Sequence, residues 1–259
     1  MTAKTLYPPG EVIIVAHRGF SGGAPENTYT AFSLAADLGV EAAECDVRLS
    51  YDQEVVIIHD RTVNRTTNGH GAVNDIPLKY LQSLDAGSWF HRRFSGERIL
   101  TLDESLDILQ RFQWINIEIK TDGISRREAG ILIEKTTTRI LHRKLEDKVI
   151  ISSFYHPILV RSRIVAPQIR TAVLYHAILH GSHRPSTLVK RVGAWGFVGG
   201  KHEIFAPMLR NARQNNIPVF VFTLNTERDL HKWIKRGVTG VVTNFPDRAL
   251  KVRKILKTG

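Results

Sequence analysis

The stretch VIIVAHRGFSGGAPENTYTAFSLAADLGVEAAECDVRL, residues 12–49, decides the fold. Its first five residues, Val12–Ala16, form an apolar run rich in β-branched side chains, which reads as a strand. Ala31, Leu34, Ala35 and Leu38 then recur at i, i+3, i+4 and i+7, the spacing of a helix with one apolar stripe. Asn27 stands where that helix needs a cap and Gly39 where it should stop. A second run, Ala42–Leu49, completes a strand, helix and strand in series, the unit that builds parallel sheets.

Outward from this unit the alternation continues. Further strands are expected at Trp114–Ile119, Val149–Ser152, Thr171–Leu174, Gly196–Gly199, Pro218–Thr223 and Gly240–Thr243. Between them, Ala129, Leu132, Ile133, Thr136 and Ile140 mark one packed helix, and Leu230, Trp233, Ile234 and Gly237 another. Thr101 and Thr226 are plausible caps, and Gly237 a second stop. Eight strand–helix repeats close most naturally into a (β/α)8 TIM barrel, with a doubly wound open sheet as the competitor. A chain of 259 residues suits one such domain over 1–259. One interval, about 60–100, is too long for a simple connection and carries the turn residues Asn68-Gly69, Gly71 and Asp85-Ala86-Gly87. It reads as an insertion after the second strand, begun by a short extra strand at Val55–Ile58 and forming a small subdomain at the barrel mouth.

Lysine and arginine exceed aspartate and glutamate by eleven, a balance that attracts anions such as phosphorylated metabolites. Much of the excess lies in scattered stretches, Arg139–Lys148 and Lys251–Lys257, which read as solvated surface. The single cysteine, Cys45, has no internal partner and suits a small buried position. The apolar run at Val12–Ala16 is too short for a secretory core, and no stretch approaches a membrane span. A cytoplasmic protein without an integral membrane segment is expected; nothing fixes its oligomeric state. No helix-turn-helix, zinc-finger or ribonucleoprotein pattern points to nucleic acid.

In a parallel barrel the reactive side chains stand where the strands end. The first strand ends at His17-Arg18-Gly19. Glu44 and Asp46 are two residues apart on the second, so they point the same way, and Glu118 and Lys120 repeat that parity at the end of the third. Three carboxylates aimed at one mouth repel unless a cation joins them. Their oxygen-only donor set suits Mg²⁺ or Ca²⁺ better than zinc. His17 and His59 could divide proton removal and delivery in cleavage of a diester, and Arg18 and Lys120 could hold its phosphate. Singly, each has a plainer reading: a hydrogen-bonded histidine, a solvated Glu-x-Asp pair, a structural arginine, a lysine that neutralises Glu118. His70, His142, His156, His176, His180, His183, His202 and His231 are read as structural or surface groups. The coincidence of the selected residues at strand ends favours a joint role.

These motifs, with Pro25-Glu26-Asn27-Thr28, Ala31-Phe32, His59-Asp60, Arg65-Thr66-Thr67, Asn116-Ile117-Glu118-Ile119-Lys120, Leu84-Asp85-Ala86-Gly87, Ser152-Ser153-Phe154, Thr223-Leu224-Asn225 and Val241-Val242-Thr243-Asn244, resemble the glycerophosphodiester phosphodiesterase family along essentially the whole chain. The resemblance implies one divalent cation held by Glu44, Asp46 and Glu118, with His17 and His59 as the acid–base pair. It also implies a small-molecule glycerophosphodiester substrate, such as glycerophosphocholine or glycerophosphoethanolamine, cleaved to glycerol 3-phosphate and an alcohol. Three positions depart from the family pattern and are expected to lie off the chemistry: Gln53 for a glycine, Phe222 for a tryptophan, and Asn244 for an aspartate.

Two rival activities keep the same barrel. A lysophospholipase D or sphingomyelinase D-like enzyme needs an apolar docking surface at the mouth, for which the insertion offers Trp89, Phe90 and Phe94, residues more readily read as subdomain core. A non-catalytic barrel binding a phosphate ligand should lack one or more reactive groups, yet every expected position is filled.

Overall fold

The computed structural model describes residues 11–258. Residues 1–10, which belong to the N-terminal stretch read for a secretory leader, lie outside them. Strand β1 (Ile13–His17) is followed by α1 (Tyr29–Asp37), β2 (Ala42–Leu49) and β3 (Val55–Ile57). The short helix α2 (Leu78–Leu81) lies in the insertion, and α3 (Leu102–Leu109) returns to the barrel. Then come β4 (Trp114–Ile119), α4 (Arg126–His142), β5 (Val149–Ser153), α5 (His156–Val165), β6 (Arg170–Tyr175), α6 (Ala177–His180) and α7 (Pro185–Val192). The last elements are β7 (Gly196–Gly200), α8 (Ala206–Gln214), β8 (Val219–Phe222), α9 (Glu227–Lys235), β9 (Gly240–Thr243) and α10 (Pro246–Thr258).

Every neighbouring pair in the order β1-β9-β8-β7-β6-β5-β4-β2 is parallel, and β1 pairs with β2 to close the ring. The open-sheet alternative is thereby excluded: the structure is an eight-stranded TIM barrel with surrounding helices. β2 outruns β1, whose pairing stops at His17 opposite Glu44. Beyond that point the free edge of β2, Val47–Leu49, is taken by β3 running antiparallel. The extra strand of the insertion thus caps an edge that would otherwise be exposed.

Period-two alternation divides each barrel strand between two environments. One parity, with Ile14, Ala16, Ala43, Cys45, Ile115 and Ile117, faces the helices and is buried in the main core. The other fills the barrel with Ile13, Val15, Ala42, Trp114, Ile150 and Val242. Cys45 is buried as expected, and burial pushes its thiol well above the ordinary range, which leaves it inert.

Several local expectations are corrected. The cap of α1 is Thr28, whose hydroxyl accepts from the Ala31 amide; Asn27 sits at φ 60° and turns its side chain inward instead. The buried face of α1 is Ala31, Phe32 and Ala35, while Leu34 is 38% and Leu38 36% exposed. The stripe was misplaced because Phe32 belongs to the packed face. Thr101 and Thr226 do cap α3 and α9, Thr101 within a reciprocal capping box with Glu104. Gln53 adopts φ 61° in the turn between β2 and β3, the left-handed conformation that explains why glycine is usual there.

The insertion has its own apolar cluster, built from Val56, Ile58, Val63, Val73, Leu81 and Leu84 among others. Trp89, Phe90 and Phe94 are not part of it. They pack edge to face with each other, and Trp89 is 38% exposed, so the expectation of a subdomain core does not hold for them.

Truncating Phe32 to alanine should cost about 3–5 kcal/mol in chemical denaturation, the scale for a fully buried aromatic side chain. Leu34→Ala should stay within about 1 kcal/mol. Equal losses from the two would contradict this orientation of α1.

Candidate active site at the barrel mouth

The interior parity changes character as the strands approach their C-terminal ends. Strand register sets His17 opposite Glu44, Glu44 opposite Asn116 and Asp46 opposite Glu118. The apolar layers beneath therefore give way to a polar layer on the same side-chain parity. Oxygens of Glu44, Asp46 and Glu118 lie within 4.8 Å of one another, and all three side chains are deeply buried.

Side-chain cations partly balance this charge. Lys120, just past β4, places Nζ 3.1 Å from Asp46 and donates a short hydrogen bond to Glu118. Arg18, at φ 56° beyond β1, sets its Nε 3.3 Å from Asp46, and its backbone N–H donates to Glu44 at 2.9 Å. The carboxylates respond unequally. Burial would raise Asp46, but Lys120 and Arg18 hold it well below the usual carboxylate range. Burial, reinforced by the Asp46 and Glu118 charges, drives Glu44 well upward. Burial also lifts Glu118 to about 7, despite the opposing pull of Lys120. Lys120 is itself pushed up to about 12, since Asp46 and Glu118 outweigh its burial.

His17 reaches this layer, and His59 lies near enough to feel the charges of Asp46, Lys120 and Arg18. His17 ends β1 with Nδ1 2.7 Å from the Asn244 side-chain oxygen and Nε2 3.9 Å from Glu44. An amide oxygen only accepts, so Nδ1 carries the hydrogen and Nε2 the lone pair. Burial, and then the Arg18 charge, lowers His17 to about 4. His59 follows β3 with Nδ1 2.7 Å from Asp60. Burial lowers it as well, against the attraction of Asp46. Each imidazole is thus anchored through Nδ1.

Other residues brought in by the fold were not singled out for the site. Asn27 donates to Asp46 at 2.9 Å, which is why its side chain is unavailable to cap α1. Arg65, in the insertion, donates to both Asp60 and Glu26, and Glu26 accepts from Arg18. One guanidinium therefore joins the anchor of His59 to the partner of Arg18. Arg48 donates to the His59 carbonyl at 2.9 Å and forks onto Asp122. The Asn244 departure is corrected in significance: it touches His17 and does not lie off the site. Its position was readable in the sequence, whereas its partner, 227 residues away, was not.

Glu44 Oε1 is buried with no hydrogen-bond partner among the described residues. An orphaned carboxylate oxygen beside two further acids is costly unless a cation completes it. The donor set fits a hard divalent ion.

The model of the glycerophosphoryl diester phosphodiesterase family matches residues 17–248. A glycerophosphodiester phosphodiesterase of Caldanaerobacter subterraneus is 36% identical over 251 residues, covering 94% of this chain and 99% of that protein. One of Bacillus altitudinis is also 36% identical, over 94% of this chain and 99% of its own length. Among solved structures, an Oleispira antarctica phosphodiesterase in complex with the product sn-glycerol-3-phosphate superimposes with a TM-score of 0.86 at 27% identity. That alignment covers 93% of this chain and 96% of the other. With the family model spanning nearly the whole barrel and the relatives aligned end to end, this chain belongs to the glycerophosphoryl diester phosphodiesterase family of phosphoric diester hydrolases.

Proposed function

We propose that the protein hydrolyses glycerophosphodiesters to glycerol 3-phosphate and an alcohol, using one divalent cation, Mg²⁺ or Ca²⁺, and the His17/His59 pair. The observation that carries this reading is the buried layer in which Glu44, Asp46 and Glu118 converge beside His17 and two side-chain cations. The three acids would hold the ion. When bound, it would supply positive charge to the phosphate's non-bridging oxygens.

The chain's own groups perform the remaining tasks. Arg18 and Lys120 lie in the same layer, where a guanidinium and an ammonium offset the charge that develops on phosphorus-bound oxygens. With Nδ1 of each histidine tied to Asn244 or Asp60, Nε2 is the nitrogen left to exchange a proton with substrate. One imidazole takes the proton of the attacking oxygen and the other returns one to the departing alcohol. The lowered proton affinity of both imidazoles favours the neutral form that a base needs, while the one that serves as acid must first take up a second proton on Nε2. The Asp60–Arg65–Glu26 chain fixes the His59 ring and makes it depend on the insertion.

Separate His17→Ala and His59→Ala variants should each lose about a hundredfold or more in kcat, measured as coupled glycerol 3-phosphate release from glycerophosphocholine. Chelator should abolish wild-type turnover and added Mg²⁺ or Ca²⁺ restore it. Wild-type turnover in both variants would contradict the assignment. Binding without any turnover would favour a phosphate-binding barrel.

Metal binding should also release protons. Burial raises both Glu44 and Glu118, Glu118 to about 7, so protons compete with the ion for these carboxylates. Apparent affinity should rise as pH increases through 7 in titration calorimetry, and Glu118→Gln should reduce the proton count. An affinity independent of pH would contradict this coupling.

A further inference from the structure

The polar parity of β2 does not stop at the acids. Two residues past Asp46, on the side shared with Glu44, comes Arg48, a buried arginine. At this height β2 lies between β3 and β4, with Arg48 opposite Val56 of the one and Val47 opposite Ile119 of the other. Those two strands lead to different halves of the site, since His59 follows β3 and Lys120 follows β4. A long side chain at the end of β2 is placed to reach both.

Arg48 does reach both. Its Nε donates to the His59 carbonyl at 2.9 Å. Its terminal nitrogens turn the other way, to the Asp122 carbonyl at 3.2 Å and to both Asp122 carboxylate oxygens at 2.9 and 3.0 Å. A guanidinium is planar and carries its donors in a fixed fork, so bonds on two sides of it hold a single geometry. Buried charge also needs a counter-charge, and Asp122 supplies it from a side chain that is 62% exposed. The Asp60–Arg65–Glu26 chain holds the His59 ring from the insertion side. From the barrel side, the Ile58 amide bonds the Asp46 carbonyl. Arg48 then fixes the peptide of His59 itself against the strand that carries Glu44 and Asp46.

We propose that Arg48, held in place by Asp122, is a positioning residue for His59: it sets where the free Nε2 of that imidazole stands relative to the carboxylate layer. The inference rests on the phosphodiesterase reading and makes proton transfer depend on an ion pair at the β4–α4 loop. Small displacements of a proton-transferring group are costly, because reacting atoms must stay aligned and in contact. The effect is directed at His59 and not at Lys120. Lys120 keeps its own tie to β2, its amide on the Val47 carbonyl at 3.2 Å. Its loop keeps a second tether, the Asn74 side chain on the Gly123 carbonyl at 3.3 Å.

A double-mutant cycle tests this, with kcat and KM for glycerophosphocholine read as choline release with Mg²⁺ present, and more enzyme used for the slow variants. Arg48→Gln should lower kcat about tenfold when His59 is present but less than about twofold in the His59→Ala background, where nothing is left to position. KM should stay within about twofold, since no contact with substrate is removed. Asp122→Ala should show the same dependence on His59 with a smaller loss. Its exposed side chain makes it the deciding variant if Arg48→Gln does not fold. Equal losses in the two backgrounds, as a general weakening of the barrel would give, would overturn the proposal while sparing the phosphodiesterase reading. So would a folded Arg48→Gln variant with wild-type kcat. Failure of the wild-type protein to release choline would overturn both.

Discussion

The structure depends on one constraint: three acids occupy the inward parity of neighbouring strands, at the height where the barrel interior stops being hydrocarbon. Strand alternation leaves them no other direction. Register then sets Asp46 beside Glu118 and Glu44 beside His17. Burying like charges this closely is unfavourable without compensation. Lys120 and Arg18 provide part of it, yet burial first, and the neighbouring acid charges after it, still raise Glu44 and Glu118. A cation-binding layer is the economical account of this residual imbalance, because the acids' geometry is fixed by strands and not by adaptable loops.

Around that layer the fold supplies rigidity in two ways. The barrel fixes His17 directly, since β1 is hydrogen-bonded on both edges. His59 lies beyond a three-residue strand that pairs with the projecting end of β2. It is held by a longer polar chain through Asp60 and Arg65 to Glu26, and by Arg48 at its carbonyl. The insertion is therefore a structural support for one half of the proposed acid–base pair. On the opposite side of the mouth, over β4 to β6, Ser153, His156 and His180 bond back to backbone groups of the chain.

What could be read from the sequence follows the range of the interactions. The parity of Glu44 with Asp46 and of Glu118 with Lys120 is local, and the strands Ala42–Leu49, Trp114–Ile119 and Gly240–Thr243 coincide with the apolar runs that announced them. Helix faces were less secure. A stripe of four residues chose Leu34 and Leu38 where Phe32 is buried, because a short window admits two overlapping faces. Asn27 was a reasonable cap by residue type, yet Asp46 claims its amide and Thr28 takes the role. Partnerships such as His17 with Asn244, or Arg65 with Glu26, span distant segments and leave no periodic trace. The stacking of His156 on His180, each bonded to a carbonyl of another segment, was hidden for the same reason.

The most direct test is a crystal structure of the protein soaked with Mn²⁺, located by its anomalous scattering. The account predicts one ion in contact with oxygens of Glu44, Asp46 and Glu118, at about 2.0–2.6 Å as for hard divalent cations. An ion bound elsewhere, with those three carboxylates uncoordinated, would contradict it.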